Sequence, residues 1–199
     1  DEVRPVTFGT LTLVEWRKQL DTRAGRWLLV TIALLTAAVL AVMALVNGGN
    51  HSFSAFLVAT TTPIALLLPI VGVLAATSEW SQRTALVTFT LEPRRTRVGL
   101  AKVLGAVGSG LVLLALAVGL AALAHLLVVT LRDADPAWDV TGQDVAYLAL
   151  SVVLFMAQGV GFGLLLRSTP FAIVTLLVLP TLFGVVGSLV PGMADVLPW

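Results

Sequence analysis

The chain has 199 residues, 58% of them hydrophobic and only 12% charged, with a mean hydropathy of +0.99. Soluble domains carry about a quarter charged residues, so a water-soluble globule is excluded and an integral membrane protein is expected. The net charge of +1 is uninformative, because in a polytopic protein the placement of charges matters and their sum does not. The absence of Cys removes disulfides, thiolate metal sites and thiol nucleophiles from consideration. His51 and His125 are too far apart to make a metal cluster by themselves, so no metal site is expected. The start at Asp1, without Met or a signal-peptide pattern, reads as trimmed.

Residues 11–26 precede the first apolar run. Leu13, Trp16, Leu20, Ala24 and Trp27 recur at spacings of 3, 4, 4 and 3, which is one face of a helix. Glu15, Lys18, Asp21 and Thr22 occupy the other face, with Arg17, Arg23 and Arg26 nearby, which predicts an amphipathic helix lying in the membrane interface. A frayed cytoplasmic tail is the plainer alternative.

Residues 27–46 carry no charge, and about 20 helical residues at ~1.5 Å each match a hydrocarbon core of ~30 Å. This is the first span. Asn47-Gly48-Gly49-Asn50 ends it, and Ser52 can cap the next helix. Residues 53–76 form the second span, with Thr60-Thr61-Thr62-Pro63 and then Pro69 inside it. Each Pro removes a backbone hydrogen bond, which predicts kinks that serve either a pathway or hinge, or packing alone.

The third span is expected over 103–129, with small residues at Gly105, Gly108, Ser109 and Gly110 for close helix approach. His125, toward its outer end, reads as a local hydrogen-bonding group or as a proton relay. The segment 132–144 is acidic and turn-rich, and Thr141 with Asp144 matches a capping box. A fourth span follows over 145–166. Its Gly159 and Gly163 form a G-x-x-x-G face, and its Gln158 serves as helix-to-helix glue or substrate contact. After Arg167, Thr169 is a candidate cap with Pro170 at the first helical position; the fifth span covers 171–190, and Pro180 can break it. An odd count ending in a short apolar and aromatic stub suggests that a sixth span is absent from this sequence. The expected fold is therefore an all-α polytopic membrane bundle, one transmembrane domain over residues 1–199.

Eleven of the twelve Lys and Arg residues fall on one side of this topology, with Arg132 alone on the other. That side, holding the N-terminus, is expected to be cytoplasmic. It includes the polar segment 77–102, with Arg83, Arg94, Arg95, Arg97 and Lys102. Within it Trp80, Thr84, Val87 and Leu91 recur at helical spacing, Glu79 and Arg83 make an i, i+4 pair, and Pro93 ends the helix. A second short helix is expected from about Arg95 into the third span. Either a cytoplasmic partner docks on this segment, or its Arg residues set topology and bind anionic lipid heads.

The order Ser78-Glu79, Thr84, Thr88, Pro93-Arg94-Arg95, Ala101-Lys102 between a second and third span resembles the permease subunits of ABC exporters of the ABC-2 class. Glu15-Trp16-Arg17-Lys18, followed by Arg26 and the first span, is similar to the start of such permeases. The resemblance covers the whole chain in layout and these two segments in detail. It implies a six-span half-transporter of a bacterial plasma membrane, acting with a second permease copy or paralogue and driven by separate ABC ATPase subunits that bind ATP and Mg. Glu79 to Leu91 would be the coupling helix, with Glu79, Arg83, Arg94 and Arg95 as polar contacts and Glu15, Trp16, Arg17 and Lys18 on the interface helix. Thr60, Thr61, Thr62 and Gln158 would line a pathway for a lipid-like or amphipathic small molecule.

The chain has no G-x-x-x-x-G-K-Ser/Thr sequence, so any ATP must be held by a partner. It also lacks H-E-x-x-H, a G-x-S-x-G elbow and a membrane Asp pair, which argues against an intramembrane enzyme; no catalytic residue and no nucleic-acid partner are expected. The competing class is a non-transporting membrane scaffold or assembly protein that docks a cytoplasmic partner through the same basic segment.

Overall fold

The computed structural model describes residues 7–46, 51–82, 84, 90, 94–132 and 135–189. Among these it is all-helical: α1 (Phe8–Asp21), α2 (Arg23–Leu45), α3 (Phe53–Ser81), α4 (Arg95–Arg132), α5 (Gly142–Leu166) and α6 (Thr169–Leu189). Four of them, α2 to α5, are long and apolar enough to cross a membrane. Their outward faces keep large apolar side chains exposed, such as Leu34, Leu123 and Leu154, which suits a lipid surround. The expected fifth span falls on α6, which runs through Pro180 without a break; its apolar stretch Thr169–Val185 is shorter than the others.

The N-terminal segment is two helices, where the periodicity predicted one. Thr22 is extended (φ −75°, ψ 137°), and its hydroxyl accepts from the Gly25 N–H at 3.1 Å, so it caps α2 while ending α1. The face that α1 turns inward also differs. Leu11, Glu15 and Gln19 are buried, whereas Leu13, Leu20, Ala24 and Trp27 of the expected apolar stripe are exposed. The stripe is free for lipid because the inward polar face meets partners of its own, set out below.

The centre of the bundle is the packing of α3 on α5. A Cβ on Gly159 would overlap the Pro69 carbonyl oxygen, and one on Gly163 would stand 2.6 Å from the Ala76 Cβ. Gly72 faces back, where a Cβ would lie 2.8 Å from the Met156 oxygen. The G-x-x-x-G face therefore does what small residues do in membranes, letting two backbones touch. α4 lies along this pair through Gly110, beside Val152 and Met156, and Ile32 of α2 joins the same core.

At the Arg132 end, local capping ties the connections down. Ser52 caps α3, and Thr141 with Asp144 forms the reciprocal capping box that starts α5, both as expected. Phe53 donates its N–H to the Ala137 oxygen at 3.0 Å, and the Asp139 carboxylate accepts from the Ser54 N–H at 2.8 Å and from its hydroxyl. Arg132 donates to the Ala44 and Val46 carbonyls at 2.6 and 3.2 Å, satisfying the open end of α2. His125 makes the local hydrogen bond that was one of its two readings, its Nδ1 lying 2.8 Å from the His51 carbonyl oxygen. Its ring stands edge-on to Trp138 with centroids 4.7 Å apart.

Candidate functional site

The other end of the bundle holds a cluster of four charges, three of them buried and the fourth, Lys18, half-exposed. Glu15 of α1 bonds Lys18 through Oε1 at 2.6 Å and Lys102 of α4 through Oε2 at 2.7 Å. Glu79, in the last turns of α3, lies 3.4 Å from Lys18 and 3.3 Å from Lys102 through its Oε1. Glu15, Glu79 and Lys102 are each at most 3% exposed. Lys102 also donates to the Ala75 oxygen at 3.4 Å. One layer out, the Ser109 hydroxyl donates to the Gln19 side-chain oxygen at 3.1 Å. Among the described residues, the second Glu79 oxygen has no hydrogen-bond partner.

The cluster joins three helices, and each helix places its members for a sequence reason. The i, i+3 and i, i+4 spacing of Glu15, Lys18 and Gln19 puts them on one side of α1. Gly105 of α4 lets α1 come close, since a Cβ there would stand 3.1 Å from the Trp16 nitrogen. Taking a charge out of water costs several kcal/mol unless it is paired, and here two carboxylates meet two ammonium groups. For Lys18, burial pushes the pKa down, but the bonds and fields of Glu15 and then Glu79 more than offset it, and the pKa sits above the ordinary 10.5. The arrangement fixes the relative position of α1, α3 and α4. No group of three or more metal-ligating side chains comes together among the described residues.

The residues expected to meet an ATPase divide. Glu79 faces the interior, and Trp80 is half-buried beside it. Both belong to α3, which runs on to Ser81, rather than to a separate helix beginning at Glu79. Thr84 is not helical and donates its N–H to the Glu79 backbone carbonyl at 2.9 Å, so α3 does not continue as a helix through Thr84 toward Leu91. Arg83, Val87 and Leu91 lie outside the described residues, as do Thr88 and Pro93. Arg94 and Arg95 are exposed at the start of α4, which continues without interruption into the third span as expected. On α1, Arg17 is exposed, Trp16 and Lys18 are half-exposed, and Glu15 is buried.

The expected pathway residues also divide. Thr60 and Thr61 line a pocket between α3, α4 and α5, together with Ser151. Thr62 and Gln158 are exposed on the outer faces of their helices and line no part of it. Thr77, inside the segment expected to be cytoplasmic, is buried and bonds the Thr169 hydroxyl at 2.7 Å, linking α3 to α6.

Sequence reasoning passed over Lys102 and Gln19 as structural groups. Their signal was present: Lys102 is a lone charge between Leu100-Ala101 and Val103-Leu104, and such a charge in an apolar run needs a partner. No protein-family model, no curated protein and no solved structure matches the chain.

Proposed function

We propose that this chain is a transmembrane permease subunit of an ATP-driven exporter of the ABC-2 class, forming a dimer and coupled to separate ATPase subunits. The observation that carries the reading is the ion cluster at the Lys102 end. It binds the amphipathic helix α1 to the ends of α3 and α4, and the segment between those two ends is where the family resemblance places the coupling element. A push on α1 would reach the ends of α3 and α4 through the paired charges. That is what a permease needs in order to shift between two arrangements when its ATPases close.

In this reading the Lys102 end is cytoplasmic, in keeping with eleven of the twelve basic residues on that side, and the membrane is a bacterial plasma membrane. α6 is the fifth span. The outward stripe of Leu13 and Leu20 on α1 and Trp27 at the start of α2 rests on lipid at headgroup depth. ATP and Mg belong to the partner chains, and the substrate is lipid-like or amphipathic.

Charge reversal at an exposed basic residue tests the reading without disturbing the cluster. Arg94→Glu should leave a folded, membrane-inserted protein, because Arg94 is exposed, while lowering the ATP hydrolysis of the purified complex several-fold. Full hydrolysis with full partner recovery in that variant would overturn it.

A further inference from the structure

A pocket of about 260 Å³ lies between α3, α4 and α5, away from the ion cluster. Its walls include Thr60, Thr61, Ala65, Leu114, Ser151 and Phe155. Thr60 to Ala65 lie about 10–18 Å along α3 from Phe53 at ~1.5 Å per residue, the middle of a ~30 Å hydrocarbon layer. Ala65 is exposed at the bundle surface, so the pocket is reached from the side.

Its polar chemistry is one-sided. The Thr60 hydroxyl donates to the Leu57 oxygen at 2.7 Å, Thr61 to Val58 at 2.6 Å, and Ser151 to Tyr147 at 2.9 Å. Each hydroxyl proton is thus committed within its own helix, while each oxygen keeps a lone pair. Pro69 has no N–H, so the carbonyl of Ala65, four residues earlier, lacks its i+4 backbone donor. An acceptor lone pair in hydrocarbon gains from a donor where one is offered. The lining holds no charged side chain, so a cation would surrender its hydration without a counter-charge and an anion would face only lone pairs.

We infer that this pocket binds a neutral amphiphile whose polar end carries a hydroxyl or amide N–H, entering sideways from the lipid with its tail along Leu114 and Phe155. The volume lies between the ~150 Å³ that holds a benzene ring and the ~300 Å³ at the lower end of drug-sized sites. It takes one chain or ring, and not a whole two-chain lipid. The inference concerns binding alone and does not rest on nucleotide-driven transport, so either can fail without the other.

The test is photolabelling of the purified full-length protein in lipid nanodiscs with three eight-carbon diazirine probes: an alcohol, a plain alkane and an alkylammonium. Adducts are mapped by peptide mass spectrometry. The alcohol should label residues 60–65 and 148–155 at least fivefold more than either of the others. Thr61→Val combined with Ser151→Ala should bring it down to the alkane level, and Leu148→Trp, at a further residue of the pocket wall, should fill it and abolish labelling there. Equal labelling of the native protein by alcohol and alkane, labelling by the ammonium as strong as by the alcohol, or no adducts on these segments would each overturn the inference.

Discussion

Lys102 Nζ lies 2.7 Å from the Glu15 carboxylate across 87 residues of sequence, and neither side chain is more than 3% exposed. An ion pair this deep gives little net stability when intact, since desolvation offsets most of the attraction, yet removing one partner leaves a stranded charge.

Lys102→Met alone should therefore destabilise the protein by about 3–5 kcal/mol. It leaves two buried carboxylates to share Lys18 alone, one negative charge in excess. Lys102→Met with Glu15→Leu restores balance, because Lys18 and Glu79 remain a pair, and should recover most of the loss. Thermal unfolding of the three variants in detergent measures this. Losses that simply add in the double variant would contradict the cluster.

The contact between Gly159 and Pro69 makes a second, sharper prediction. Gly159→Ala must push α3 and α5 apart, at a cost of about 1–3 kcal/mol for overpacking. Gly161→Ala on the same helix meets nothing within 4 Å and should be neutral or slightly stabilising. Unfolding midpoints that fall equally in the two variants would remove the close contact from the account.

Asp139 predicts a pH dependence at the other end of the bundle. Hydrogen bonds from Ser54 hold its carboxyl below the ordinary value of 3.8. A lowered folded-state pKa contributes stability that is present above the unfolded value and is lost as pH falls through the folded one. The difference in melting temperature between the native protein and Asp139→Asn should thus be constant from pH 7 to pH 5 and close only below the ordinary 3.8. Closure near neutral pH would contradict the Ser54 cap.

What the sequence made legible was local. Ser52 and the Thr141–Asp144 box act within a turn of their own helix, and Gly159 and Gly163 lie one turn apart on one face, so their spacing carried their role. The same local logic misplaced Glu79. Its i, i+4 neighbour Arg83 suggested an exposed helix, whereas the partners that bury it are Lys18 and Lys102, brought in by other helices. For α1, periodicity revealed a helix with two faces but not which one turns inward. The polar side went in because Glu15 and Gln19 find Lys102 and Ser109 on α4. Of the four expected pathway residues, Thr60 and Thr61 share a wall and Thr62 does not, because successive helical residues point about 100° apart.

The central claim is that the basic end of this bundle takes a nucleotide-driven partner. The most direct measurement is purification of the full-length protein in mild detergent, with mass spectrometry of what co-purifies and an ATPase assay on the complex. The account predicts an ABC ATPase at about one per permease chain, with hydrolysis. A chain purified clean, with no nucleotide-binding partner, would contradict it and favour a membrane scaffold.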